Sequence, residues 1–441
     1  MTGLRLQERD RALLDGEEGE AARLAMRMIV RVAEITGAQS LIDVTCAHID
    51  GCLYHGRASL DLAERLVALG ARVTVPTTLN VGLLDLLHPE LNRADHETAG
   101  RARRLMDCYV AMGCEPTWTC APYQLPRRPR FGEQIAWAES NAIVFANSVL
   151  GARTDRYGDF IDIFAAITGR VPDAGLHREE NRRGQVLFVL HGVPDRLLAE
   201  DVLYPVLGHL VGAEAGTRVP VIDGLPEDTS EDRLKALGAA AASSGAVALF
   251  HAVGVTPEAP TLDAALQGGK PERIVEVTPS RLRAARDALS NRSRPSIVNS
   301  RQSIVDSRQS TDDRLAAVSL GTPHFSLAEF EQLMRLLGGR RVHDDVALYV
   351  STARHIEAEL EVRGWAEILR RAGAHLVVDT CTYLTPIIPE PRGVVMTNSA
   401  KWAYYAPGNI GVDVVFGSLD ECVASAVEGR IVRSDALWAE V

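Results

Sequence analysis

Apolar residues recur at helical spacing in segments that alternate with short apolar runs. Between residues 4 and 37, apolar side chains return every three or four positions up to Gly37, a residue type that commonly ends helices. Further segments with helical spacing are 58–70, 97–112, 230–242, 326–337 and 354–372. Strand-like runs are 40–44, 71–75, 140–147, 186–190, 246–251, 274–277 and 375–379. This alternation predicts an α/β fold of parallel βαβ units with helices on both sheet faces.

A polar segment interrupts the alternation near residue 300. The run Ser-Ile-Val-Asn-Ser-Arg-Gln at 296–302 is repeated at 303–309 with Asp in place of Asn. Two copies are too few for a coiled coil, and the polar composition indicates a surface loop. We therefore predict a first α/β region over 1–290, an inserted loop over 291–313 and a second α/β region over 314–441.

Composition excludes several classes of partner. The 441 residues carry a formal net charge of −11, and a nucleic-acid surface needs a basic balance instead. No apolar run approaches the roughly 18 residues of a membrane span, and the charged start, Arg5 to Asp10, does not resemble a secretory signal. Seven cysteines without paired short spacing indicate reduced thiols. We expect a cytoplasmic protein that binds neither nucleic acid nor membrane.

Three of the cysteines lie in turns beside short apolar runs. They are Cys46, Cys120 and Cys381, in three distant parts of the chain. Thiolates delivered by strand ends can hold a metal or an iron–sulfur cluster. The alternative is that they are small buried apolar residues of the core.

Polar residues after the apolar run 140–147 form a candidate substrate site. Asn147 and Ser148 follow the predicted strand, and Arg153 comes just after Gly151, where its guanidinium could grip a carboxylate or a phosphate. A solvated Arg153 beside a capped helix is the alternative.

Two further side chains are candidates for the same chemistry. Lys401 lies in a second polar turn and is another possible anion clamp. His48, close to Cys46 and Cys52, could orient a substrate or transfer a proton, although a structural histidine fits the pattern equally well.

Seven motifs carry a family resemblance. They are V-T-C-A-H-I-D-G-C-L-Y-H-G (44–56), V-P-T-T-L-N-V-G (75–82), W-A-E-S-N-A-I-V-F-A-N-S-V-L-G-A-R-T (137–154), R-Y-G-D-F (156–160), E-N-R-R-G (180–184), G-T-P-H-F-S (321–326) and D-T-C-T (379–382). Together they strongly resemble the catalytic (large) subunit of aconitase X, from near residue 10 to about residue 415. The resemblance implies aconitase-like three-layer α/β/α subdomains with mainly parallel sheets. It also implies an iron-dependent dehydratase of a small hydroxy carboxylate, a hydro-lyase.

The resemblance assigns Cys120 and Cys381 to the cluster. The family's mevalonate-phosphate members tend to have cysteine where this chain has Thr322. Either another thiol, by preference Cys46, completes the ligand set, or the cluster is smaller or the site holds a mononuclear iron. Thr322 favours the hydroxyproline branch, whose members resemble a two-iron (2Fe–2S) type. A three-iron (3Fe–4S) cluster and a mononuclear iron are the alternatives.

Dehydration requires a Lewis acid on the departing hydroxyl, a base for the α-proton and cations on the carboxylate. For catalysis we predict Ser148, His48 and Lys401. For substrate binding we predict Thr78, Asn147, Arg153 and Lys401.

Aconitases also have a small swivelling domain that closes over the cluster. In this chain the motifs leave no room for that domain, so we expect a separately encoded small subunit and a heterodimer. The leading activity is dehydration of cis-3-hydroxy-L-proline to Δ1-pyrroline-2-carboxylate. The alternatives are the large subunit of mevalonate 5-phosphate dehydratase and, in another class, a non-catalytic iron-binding or iron-sensing subunit.

Overall fold

A computed structural model describes residues 3–290, 314–389 and 393–438. The predicted insertion at 291–313, with its duplication at 296–309, lies outside the described residues. The elements of the first part are α1 (Glu8–Asp15), α2 (Glu20–Thr36), β1 (Leu41–Asp43), β2 (Ala47–Ile49), α3 (Arg57–Ala68), β3 (Thr77–Leu79), α4 (His96–Ala111), β4 (Ala136–Trp137), α5 (Ser140–Ser148), α6 (Ile161–Thr168) and β5 (Arg170–Pro172).

Two further groups of elements follow. The second contains β6 (Val186–Leu190), α7 (Asp195–Leu198), α8 (Leu203–Ala215), β7 (Pro220–Asp223), α9 (Glu231–Ser244), β8 (His251–Ala252), α10 (Leu262–Ala265), β9 (Arg273–Val277) and α11 (Pro279–Ala288). The third contains β10 (Leu315–Phe325), α12 (Leu327–Leu337), β11 (Ala347–Thr352), α13 (Arg354–Val362), α14 (Trp365–Ala372), β12 (Ala374–Val377), β13 (Val394–Thr397), α15 (Ala400–Asn409), β14 (Asp413–Phe416) and α16 (Leu419–Glu428).

Each group builds one parallel sheet around its first central strand. The strand orders are β3-β2-β4, β8-β7-β6-β9 and β12-β11-β10-β13-β14, while β1 and β5 form a separate antiparallel pair. In each parallel sheet the chain extends first to one side of the starting strand and later to the other. Such a reversal opens a crevice at the carboxyl ends of the strands. The predicted first region, residues 1–290, therefore holds two parallel sheets.

The five-stranded sheet is buried on both faces. Successive residues of its strands alternate between two core clusters: Ala317, Tyr349, Val377, Val395 and Val414 pack with the α8, α9 and α15 side, and Val318, Leu348, Leu376, Met396 and Val415 with the α12, α14 and α16 side. Burial on both faces explains why these strands read as continuous apolar runs. The predicted layering of helices on both faces is present here.

The strand predicted at 140–147 is wrong, because this segment is helix α5. The Glu139 side chain caps it by accepting a hydrogen bond from the Ala142 N–H at 2.8 Å. Residues 141–148 are all buried, so the helix has no polar face and its sequence shows no helical period. A buried helix and a buried strand cannot be told apart by periodicity alone. The strand of this motif is the much shorter β4, which ends just before Glu139.

Among the described residues, no helix combines the length and apolar character needed to cross a membrane.

A charged cluster joins the first part of the chain to the third. His88 contacts Asp85 through Nδ1 at 3.2 Å and Glu357 of α13 through Nε2 at 3.0 Å. Beside it, Arg354 forms a two-pronged ion pair with the buried Asp379 at 2.5 and 2.6 Å. The hydrogen bonds from Asp85 and then Glu357 raise the pKa of His88 to about 10.

This cluster predicts a pH-dependent stability. A histidine titrates near 6.5 when unfolded, so the His88 contribution is fully present below that pH and is lost as the pH rises through about 10. His88→Gln should lower the free energy of unfolding by about 2 kcal/mol at pH 7, with the difference from the parent shrinking toward pH 10. Urea unfolding at both pH values measures this, with the exposed His343→Gln as control. An equal loss at both pH values would contradict the role of the charge.

Candidate active site

A cavity of about 240 Å³ lies where the carboxyl ends of two parallel sheets meet. Asp50, Asn80 and Glu139 follow the three strands β2, β3 and β4, and Cys381 and Lys401 follow β12 and β13 of the five-stranded sheet. Its lining is Asp50, Leu53, His55, Asn80, Val81, Cys120, Glu139, Ser140, Cys381, Tyr383, Leu384, Lys401, Tyr405 and Asn409. This is the position at which open α/β sheets bind ligands.

Two thiols and an imidazole converge at the base of the cavity. The ligand atoms of Cys120, His324 and Cys381 all lie within 4.8 Å of one another, and all three residues are buried. The backbone N–H of His324 donates to Cys120 Sγ at 3.3 Å, and His324 Nε2 lies 4.0 Å from Cys381 Sγ. In the part of the chain that the structure describes, no other group of histidine, cysteine or acidic residues meets this spacing.

The local backbone fixes His324 at the carboxyl end of β10. Gly321 has φ +84°, and a Cβ there would lie 2.1 Å from the Ser351 carbonyl oxygen, so only glycine fits this approach of β10 to β11. His324 Nδ1 is hydrogen-bonded to Thr119 Oγ1 at 3.1 Å. Burial lowers the pKa of His324 to about 4, so the imidazole is neutral at pH 7 and can offer a lone pair.

The donor set fits a thiophilic metal or an iron–sulfur cluster. The hydrogen bond with Cys120 and burial hold the pKa of Cys381 well above its usual range. Two buried thiols beside a neutral imidazole suit iron or zinc, whereas magnesium and calcium prefer oxygen ligands. Metal binding would release the thiol protons, and the positive charge of the metal would offset the two thiolate charges held so close together.

A buried ion pair forms the polar wall of the cavity. Lys401 Nζ contacts Glu139 Oε1 at 2.5 Å and Ser140 Oγ at 3.4 Å. Burial by itself would lower the pKa of Lys401, but the Glu139 carboxylate outweighs it and holds that pKa well above the usual range. Lys401 therefore stays protonated and presents a permanent cation to the cavity.

A second carboxyl group faces the same cavity. Asn80 donates through its side-chain amide to Asp50 Oδ1. Burial and then the carboxylates of Glu139 and Asp159 raise the pKa of Asp50 to about 7. Asp50 therefore exchanges its proton near neutral pH.

Cys46 is not brought together with the other two predicted thiols. It lies at the amino end of β2, whereas Asp50 follows the carboxyl end of the same strand. It lines a second cavity of about 260 Å³ together with Arg127, Glu133 and Trp137. Burial raises the pKa of Cys46 to about 11. The third donor beside Cys120 and Cys381 is His324 instead.

Three predicted residues around the 137–154 motif have partners within the fold and do not line the cavity. Ser148 Oγ accepts a hydrogen bond from the Phe250 N–H at 2.8 Å, and the Asn147 side chain donates to the Thr154 and Ala248 carbonyls at 2.9 Å each. Arg153 pairs with Glu179. The sequence predicts Ser148 for catalysis, and Asn147 and Arg153 for substrate binding. Because 140–148 is a helix, its end lies away from the cavity, and these groups join neighbouring segments.

His48 and Thr78 also contact each other rather than the cavity. His48 Nδ1 lies 2.8 Å from Thr78 Oγ1, which links adjacent strands β2 and β3. Burial lowers the pKa of His48 to about 3, so it is neutral at pH 7. His48 is fully buried and Thr78 lines the second cavity beside Cys46, so neither belongs to the lining of the 240 Å³ cavity. Of the predicted site residues, the structure brings together Cys120, Cys381 and Lys401.

Four residues of the cavity region escaped the sequence prediction. His324, Asp50, Asn80 and Glu139 all lie within motifs that carry the family resemblance. The usable signal was their position directly after, or at the end of, a strand. A strand placed at 140–147 ends at Asn147 and Ser148, so the sequence predicts these two as site residues in place of Glu139.

Three family models match the chain in sequence order. They are the first domain of aconitase X over residues 3–180, the second domain over 184–287 and the third domain over 315–428.

Characterised relatives match nearly the whole chain. A cis-3-hydroxy-L-proline dehydratase of Pseudomonas aeruginosa is 47% identical over 99% of this chain and 72% of the relative. One from Hypocrea jecorina is 42% identical over 97% of this chain and 69% of the relative. The large subunit of a phosphomevalonate dehydratase from Methanothermobacter thermautotrophicus is 35% identical over 93% of this chain and 96% of the relative.

A solved structure matches as well. The crystal structure of aconitase X from Thermococcus kodakaraensis in its holo form superposes with a TM-score of 0.82 at 31% identity, covering 96% of this chain and 100% of that chain. This match confirms the predicted aconitase-like α/β fold, and the relatives confirm the prediction of a dehydratase. The chain belongs to the aconitase X family.

Proposed function

We propose that this hydro-lyase dehydrates cis-3-hydroxy-L-proline to Δ1-pyrroline-2-carboxylate. The relatives with 47% and 42% identity carry that name, and those named phosphomevalonate dehydratase are more distant, at 35% identity and below. The observation that carries the proposal is the charge balance of the cavity. This balance is seen only in the tertiary structure.

The cavity lining holds two carboxyl groups, one permanent cation and the exposed histidine His55. Asp50 and Glu139 line it together with a single permanent cation, Lys401, while arginine is absent from its described lining. A phosphorylated hydroxy acid would bring a phosphate and a carboxylate into this acidic surrounding, which would require further cations. Hydroxyproline is a zwitterion: its carboxylate suits Lys401 and its ring ammonium suits a carboxylate. The balance therefore favours the imino acid.

Cys120, His324 and Cys381 would hold the iron–sulfur cluster of this site. We propose a two-iron (2Fe–2S) cluster, for which mixed thiolate and imidazole ligation has precedent. When bound, the iron supplies a Lewis acid that polarises the departing hydroxyl group. A 3Fe–4S cluster and a mononuclear iron would differ from it in EPR signal and in iron content per chain.

The residues of this chain orient the substrate beside that site. Lys401 binds the carboxylate and stabilises the negative charge that develops on it as the α-proton leaves. In the balanced reaction the Cα–H bond and the C3–O bond break, a C2=C3 double bond forms, and water departs. The enamine product then takes up a proton at C3 as its ring nitrogen gives one up, which yields the Δ1-pyrroline.

We propose that a separately encoded small subunit completes the enzyme in the cytoplasm. The large subunits of phosphomevalonate dehydratase match this chain over 94–98% of their own length, and their names imply a smaller partner. The seven free cysteines suit a reducing compartment. We propose that the small subunit supplies the base that removes the α-proton.

Co-expression with the candidate small subunit tests the function. Prepared anaerobically, the complex should convert cis-3-hydroxy-L-proline to Δ1-pyrroline-2-carboxylate and leave mevalonate 5-phosphate unchanged. Turnover of the phosphate substrate instead would overturn the assignment. Bound iron without turnover of either substrate would favour the iron-binding or iron-sensing subunit.

A further inference from the structure

The two carboxylates of the cavity differ in how fully they are engaged. Glu139 Oε1 contacts Lys401 at 2.5 Å, and Oε2 accepts from the Ala142 N–H at 2.8 Å and from the Asn141 amide. Asp50 accepts one side-chain hydrogen bond, from Asn80 to Oδ1, and forms no ion pair within the described residues. Asp50 is therefore the carboxylate with free capacity to bind a ligand.

The turn that carries Asp50 is held rigidly. The buried Asp162 accepts hydrogen bonds from the Asp50 N–H at 2.7 Å and the Gly51 N–H at 3.3 Å, and its other oxygen accepts from the Ile163 N–H at 2.7 Å. Asn80 fixes the side chain from the neighbouring strand end. This support sets the direction of the carboxyl group before any ligand arrives, which lowers the cost of binding.

The surroundings of Asp50 lack a countercharge. Glu139, Asp159 and Asp162 all act on it as like charges. Holding an ionised carboxylate in such a place is unfavourable unless a cation joins it. Lys401, the permanent cation of the described lining, forms its ion pair with Glu139 and none with Asp50.

We infer that Asp50 binds the ring ammonium of the substrate and so selects imino acids over acids that lack a basic nitrogen. This inference rests on the proposed function and adds to it the residue that sets the substrate class. Lys401 and Asp50 line one cavity of about 240 Å³, so a small zwitterion can engage both at once. Because the two opposite charges are held at fixed positions, they define the orientation in which the substrate ring binds.

Ligand binding tests the inference without turnover. Calorimetry on the full, metal-loaded chain should show that L-proline binds at least about 30-fold more tightly than cyclopentanecarboxylate, which has the same ring size but no nitrogen. Asp50→Asn should reduce this preference to about threefold or less by weakening proline alone. Asp50→Glu, which keeps the charge, should retain most of the preference.

Asp159→Asn is the matched control. It removes a neighbouring negative charge from an exposed residue outside the cavity lining, so the preference for proline should persist. A preference that survives in Asp50→Asn, with its fold verified by circular dichroism, would overturn the inference alone. If the parent chain binds neither ligand even in complex with its small subunit, the inference and the proposed function fall together.

Discussion

Replacing Cys381 with serine is expected to abolish activity and iron binding together. Cys381 supplies one of three donors that lie within 4.8 Å of one another in a fully buried site. A serine hydroxyl is a harder donor with a much higher pKa than a thiol, so it does not replace a thiolate toward iron. We expect turnover to fall by on the order of 10³-fold or more. Visible absorption, iron content and steady-state rates measure the loss, and Cys120→Ser should behave alike.

Cys422→Ser is the control for losing a buried thiol. Cys422 is fully buried in α16 and packs in the core on the far side of the five-stranded sheet. The Cys422→Ser substitution should lower the free energy of unfolding and leave iron content and turnover per folded chain unchanged. Equal iron content in Cys381→Ser and the parent would contradict the assignment of this ligand.

Replacing Lys401 with methionine is expected to have the second largest effect. The change removes the cation that holds the substrate carboxylate, and preorganised charges of this kind contribute about 10²–10³-fold to turnover. It also leaves the buried Glu139 carboxylate without its countercharge, which should lower the free energy of unfolding by about 3–5 kcal/mol. Steady-state kinetics and urea unfolding measure the two effects separately.

The double variant Lys401→Met with Glu139→Gln separates the two roles. Removing both charges eliminates the unpaired carboxylate, so much of the lost stability should return. Activity should remain low, because the substrate still lacks its cation. Recovery of activity along with stability would mean that Lys401 acts only through the fold.

Local patterns located several helices closely. Helix α4 at His96–Ala111 and helix α12 at Leu327–Leu337 lie within a residue of their predicted limits. The segment 4–37 divides into two helices, because Gly16 and Gly19 adopt positive φ. The strand prediction failed at α5, where uniform burial hides the period, and at 71–75, because β3 begins only at Thr77. Ser148, predicted as catalytic, and Asn147, predicted to bind substrate, lie outside the cavity lining.

The sequence by itself determined the family and the parallel α/β architecture, and it singled out three residues that line the candidate cavity, Cys120, Cys381 and Lys401. It could do so because long motifs in a set order specify a family, and because alternating apolar segments specify βαβ units. Only the tertiary structure decided that His324 rather than Cys46 joins the two thiols. The physical reason is strand direction: the cavity lies at the carboxyl ends of the strands, and Cys46 stands at the amino end of β2. The same geometry brought Asp50 and Glu139, from strands far apart in the sequence, to one small acidic cavity.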